Sequence, residues 1–145
     1  MTIDEVCERE AIRDLLTRYT YGGDRGRTAA LAACFAPDGI LEFPGAVATG
    51  PEAIVEALTS GIANPARTFV RHHITPALID LADDGETATS RSYFQVVSNA
   101  GPDHAGTYND RLRKTPVGWR FAHRQVRVDW QAETSLFRNM ITRRT

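Results

Sequence analysis

Residues 106–130 read GTYNDRLRKTPVGWRFAHRQVRVDW. Two runs of mixed apolar and polar residues, Ala105–Arg113 and Trp119–Trp130, flank KTPVG, where Pro116 and Gly118 mark a turn. Together they predict a long hairpin. The same character extends backward through Phe69–Leu81, the turn ADDGE, Thr87–Val97 and the loop SNAGPD. Four long consecutive strands predict a curved antiparallel meander.

The front of the chain has a different period. Ile3, Val6, Ala11, Ile12, Leu15, Leu16 and Tyr19 fall at helical spacing, with Thr2 or Asp4 as caps and Gly22-Gly23 as the stop. Thr28–Phe35 predicts a second helix, closed by the turn Pro37-Asp38-Gly39. ILEF at 40–43 reads as a strand and 44–50 as a loop. Pro51 then opens a third helix that ends near Gly61. Helices in front and strands behind indicate an α+β class, with the helices on one face of the sheet. The 145 residues fit a single domain, 1–145. Residues 131–145 read as a tail or short helix that closes one end.

Seventeen basic and eighteen acidic residues leave a net charge of −1, and the basic ones are scattered, so a nucleic-acid partner is not expected. No apolar run approaches a spanning helix, and MTIDEVCERE is charged rather than signal-like, so a cytoplasmic, membrane-free protein is expected. Cys7 and Cys34 lie in helical patterns and read as buried, reduced thiols. Histidine spacing gives no metal triad and no glycine fingerprint marks a nucleotide site, so neither metal nor cofactor is expected.

The strings AIRDLLTRYTYGGD at 11–24, LAACFAPDGILEF at 31–43, TGPEAIVEAL at 49–58, RHHI at 71–74 and the 106–130 hairpin resemble, in this order, the SnoaL-like branch of the nuclear transport factor two-like superfamily. That branch includes scytalone dehydratase. The resemblance covers nearly the whole chain and implies a cone of strongly bent, antiparallel or mixed sheet, enclosed by three helices around a pocket. It implies no single reaction, because the superfamily holds dehydratases, isomerases, hydrolases, binding domains and dioxygenase small subunits.

In the dehydratase-like members an aspartate just beyond the first helix pairs with a histidine on the first long strand. By that resemblance Asp24 and His73 form the dyad, with His73 pointing inward and His72 outward, and Tyr19 supplies a hydrogen bond to substrate oxygen. Arg91 falls where scytalone dehydratase has a second histidine, Tyr108 near its pocket asparagine, and Phe43 in place of a tyrosine. These three are the expected substrate-binding residues. Bland readings compete: Asp24 as a turn or helix cap, His73 and Tyr19 as core, and Arg91 in a surface salt bridge with Asp110 or Glu86. His104 reads as an exposed loop residue, and Trp130 as a core anchor.

The expected activity is that of a cofactor-independent lyase or isomerase, dehydratase-like, using Asp–His acid–base chemistry on a small hydrophobic oxygenated substrate. A noncatalytic ligand-binding domain and an oxygenase small-subunit scaffold are the alternatives. By resemblance a homodimer or homotrimer is expected.

Overall fold

The computed structural model describes residues 1–61 and 63–141. Helix α1 spans Ile3–Asp24, α2 Thr28–Ala32 and α3 Pro51–Thr59. Thr2 caps α1 through a reciprocal box: its hydroxyl accepts the Glu5 N–H, and the Glu5 carboxylate accepts the Thr2 N–H. The helix runs through Gly22-Gly23 rather than stopping there, and this puts Asp24 on its last turn. Gly22 is kept small by α2, since a Cβ there would lie 3.3 Å from the Leu31 nitrogen.

Seven strands form one sheet: β1 Phe35–Phe43, β2 Ala46–Thr49, β3 Val70–Ile74, β4 Leu78–Leu81, β5 Thr87–Ser98, β6 Gly101–Thr115 and β7 Gly118–Gln131. Their order is β2-β1-β7-β6-β5-β3, with β4 also pairing β5. All pairs are antiparallel except β1 with β7, so the sheet is mixed. Four differences from the sequence expectation arise locally. Phe35 begins β1 instead of ending α2, and β2 occupies the expected 44–50 loop. The Phe69–Leu81 run breaks at Thr75-Pro76-Ala77, where proline has no ladder N–H to give. Finally, β6 starts at Gly101, inside the expected loop.

The sheet bends at register shifts in β1, β5, β6 and β7. Gly106 sits at one of them, directly under the Phe94 ring. An added Cβ would lie 1.8 Å from the Arg127 carbonyl oxygen and 2.8 Å from Phe94 Cζ. Only glycine allows this close passage.

Strand pairing arranges the inner face of the sheet in rows. His72, Val96 and His104 form one row; Ile74, Phe94, Gly106 and Val128 the next. Then follow Ser92 with Tyr108, and Ser90 with Asp110 and Arg124. Ala88, Leu112, Phe121 and Phe35 close the narrow end. Helix α1 lays Ile12, Leu15, Leu16 and Tyr19 onto these rows to complete the core. Among the described residues, no helix is long and apolar enough to cross a membrane.

Candidate functional site

The interior histidine is His72, not His73. Val70, His72 and Ile74 share the half-buried face of β3, while Arg71 and His73 are exposed. His72 pairs with fully buried Val96 and His73 with exposed Gln95. Asp24 meets His72 twice: its Oδ1 lies 2.5 Å from Nδ1, and its Oδ2 accepts the His72 backbone N–H at 2.9 Å. The two side chains are only 9% and 25% exposed, so the pair is shielded yet reachable. Burial pushes the Asp24 carboxyl upward, but the His72 ring and backbone hydrogen bonds outweigh it and hold the group below the usual carboxylate range. Asp24 does not cap α2, whose N-cap is Arg27. A carboxylate on the last turn of α1 also faces the negative end of the helix dipole, so its placement is sustained by His72 rather than by its own helix.

In the tautomer whose Nδ1–H donates to the carboxylate, Nε2 of His72 keeps a lone pair that can accept a hydrogen bond or a proton. A cavity of about 450 Å³ reaches His72 between α1 and the β3–β4 junction, with Leu16, Thr20, Ile74, Pro76 and Ala77 among its walls. The other face of the dyad meets an aromatic cluster. The Phe94 ring lies 6.3 Å from the His72 ring and stacks on Tyr108 at 4.6 Å, and Tyr108 meets Tyr19 edge-on at 6.1 Å. Burial raises both phenols above their ordinary range, so each stays a proton donor.

Beneath the phenols lies a charge that the sequence did not reveal. Arg124 is 1% exposed, and it donates Nε and Nη2 to the Asp110 carboxylate at 2.8 and 2.9 Å. Its guanidinium carbon sits 3.9 to 4.3 Å from the ring centres of Tyr108, Tyr19 and Phe121. Burial opposes the charge on Arg124, but Asp110 outweighs that penalty and the guanidinium stays protonated. Asp110 also accepts from the Ser90 hydroxyl at 2.8 Å.

A second acid–imidazole pair closes the wide end. His104 is buried on β6 rather than exposed in a loop, with Nδ1 2.7 Å from Asp103 Oδ1. Desolvation lowers its pKa below the ordinary 6.5 despite the opposing pull of Asp103. Asp103 also accepts from the Ser135 hydroxyl at 2.7 Å and the Leu136 N–H at 2.9 Å, and this latches the segment after β7. Phe137 of that segment packs edge-on against His104 at 4.8 Å, under the Arg67 guanidinium at 4.2 Å. The segment is therefore a closing strap, with no helix among its described residues 132–141.

Of the residues singled out from sequence, Asp24, Tyr19 and Tyr108 converge on this interior. His73 does not, because it has the wrong parity on β3. Arg91 is exposed with Tyr93 on the outer face of β5, opposite Leu78 and Asn109; the inner face belongs to Ser90, Ser92 and Phe94. Nor does Arg91 pair with Asp110, whose carboxylate is taken by Arg124. Phe43 lines a different cavity, between β1, β2 and β7, with Arg138 over its ring. Trp130 is 48% exposed and anchors no core, and Cys7 is exposed whereas Cys34 is buried; both are free thiols. Among the described residues no three His, Cys, Asp or Glu side chains converge as a metal site.

Comparison with known proteins agrees with this architecture. No curated protein sequence matches the chain. Among solved structures, Rv3472 from Mycobacterium tuberculosis, a protein of unknown function, is 32% identical over 87% of this chain and 74% of its own, with a TM-score of 0.75. A cystatin-fold, nuclear transport factor two-like protein from Novosphingobium aromaticivorans is 27% identical over 94% and 93%, with a TM-score of 0.79. A candidate scytalone dehydratase from the same organism is 25% identical over 100% and 99%, also at 0.79. The sequence profile of the SnoaL-like domain matches residues 4–125, that is, from the first turn of α1 into β7. The chain therefore belongs to the SnoaL-like domain family, within the nuclear transport factor two-like fold.

Proposed function

We propose that this protein is a cofactor-independent lyase or isomerase, dehydratase-like, whose base is His72 and whose orienting carboxylate is Asp24. The observation that carries the reading is the pair of hydrogen bonds that the Asp24 carboxylate accepts from the ring and backbone N–H of His72, made across 48 positions of sequence. That arrangement fixes the tautomer of the imidazole and supports the charge it acquires on taking a proton. The similarity to a candidate scytalone dehydratase favours elimination within this class.

The substrate lies in the cavity beside His72, whose mixed apolar and hydroxyl walls suit a small oxygenated molecule. His72 Nε2 removes a proton from carbon next to a carbonyl. The electron pair left behind forms the new double bond as the carbon–oxygen bond of the leaving hydroxyl breaks. The proton then passes from the imidazolium to that hydroxyl, which departs as water. Thr75 and Tyr21, which line this cavity, carry the hydroxyl donors for negative charge on the carbonyl oxygen, while Tyr19 and Tyr108 back the other face of the dyad.

The test begins with incubation in a metabolite mixture and mass spectrometry of the compound retained or consumed. For that compound, His72→Ala and Asp24→Asn should each lower turnover by roughly 10²–10⁴. His73→Ala should leave it within about twofold, as befits an exposed side chain. Wild-type turnover in His72→Ala would end the proposal.

A further inference from the structure

A third cavity, of about 610 Å³, lies across α1 from the one beside His72, sharing Tyr21 with it, between α1, α2 and the start of β7. It exists because Ala11, Gly22, Ala30 and Ala33 keep the facing helix surfaces small. Its basic residues are Arg18, Arg25, Arg27 and Arg120, with no lysine among the lining side chains, and its one carboxylate is Asp14. Asp14 is already committed to Arg18, at 2.7 Å from Nε. Arg25 stands over the Tyr21 ring at 5.4 Å, and Arg120 spends one Nη1 bond on the Trp119 carbonyl. Most of the guanidinium donors around the cavity thus remain for something else.

Four like charges sharing one space in a chain of net charge −1 repel one another, and among the described residues no carboxylate forms an ion pair with Arg25, Arg27 or Arg120. A bound anion would. The guanidinium fork matches the oxygens of carboxylate and phosphate in pairs, which a point ammonium does not. The inner wall of the cavity is apolar, made by Leu15, Trp119 and the buried Cys34. The size suits a small organic molecule.

We infer that this cavity is a binding site for a small organic anion, a carboxylate or phosphate head carried on an apolar body, separate from the Asp24–His72 centre.

The test uses Trp119, which lines the site, as its own reporter. Trp130→Phe removes the chain's other tryptophan. In that background phenyl phosphate and benzoate should each change the Trp119 emission saturably, and benzyl alcohol should not. The tighter of the two anions identifies the preferred head group. Arg27→Ala with Arg120→Ala should weaken the tighter anion by about tenfold or more, and added salt should weaken it further. Arg27→Gln alone, at an exposed position, gives a smaller loss and guards against a misfolded double variant. Asp24→Asn should leave the anion response unchanged, so failure of the proposed chemistry and failure of this site read out separately. Absence of a saturable response to both anions, an equal response to benzyl alcohol, or an unchanged midpoint in both arginine variants would overturn the assignment.

Discussion

His72 and His104 lie on one cross-strand row with fully buried Val96 between them, and each ring turns Nδ1 to its own aspartate. The two pairs differ in enclosure. Asp103 and His104 are 0% and 6% exposed as side chains, against 9% and 25% for Asp24 and His72.

That enclosure sets a pH dependence. His104 has a lowered folded pKa, so below its ordinary value of 6.5 the unfolded chain binds the proton more readily than the folded one. Stability from this residue is complete above 6.5 and declines as pH falls below it. Asp103 is also lowered, so its contribution persists until pH drops below the ordinary 3.8. Urea midpoints measured from pH 7.5 to 5 should therefore fall in the wild type and fall less steeply in His104→Phe. Equal slopes would refute the assignment.

The Asp110–Arg124 pair should behave as a buried ion pair. Removing one partner strands the other charge among aromatic rings, so Arg124→Met and Asp110→Asn should each cost about 3–5 kcal/mol. The double variant should cost less than the sum, because the interaction is shared. Urea unfolding of the wild type and the three variants closes the cycle.

The strap depends on Asp103 for two side-chain anchors. Asp103→Asn should speed amide hydrogen exchange at Leu136, whose N–H it accepts, with a local loss of about 1–3 kcal/mol. Exchange in the middle of α1 should not change. Phe137→Ala should loosen the same segment by removing its contact with His104.

The outer face of the sheet carries Tyr93 and Leu78, 67% and 56% exposed, beside Arg91. We propose that any self-association of this chain uses this face. Light scattering of Tyr93→Glu should show a smaller particle than the wild type; a wild-type monomer would remove the expectation.

The fold was legible because its signals are local: the Pro116–Gly118 turn fixes the hairpin, and helical spacing fixes α1. The inward histidine was also within reach. The alternation of VRHHI groups Val70, His72 and Ile74, and comparison with relatives by position displaced the choice by one residue. The buried arginine was not within reach. Counting outward from the Thr115–Gly118 closure pairs Asp110 with His123; the register shift between Arg111 and Leu112 advances the partner to Arg124. Nothing in the residue types announces that shift. Asp103-His104 was hidden for a related reason, since Gly101-Pro102 reads as a loop yet begins a strand.

Asp24 ends the first helix and His72 lies in the third strand, so neither segment alone holds any part of the reactive geometry. Catalytic competence should accordingly appear only when the amino-terminal helix has docked on the finished sheet. Recovery of activity during refolding would then serve as a clock for that last assembly step, lagging behind the far-ultraviolet signal of the hairpins.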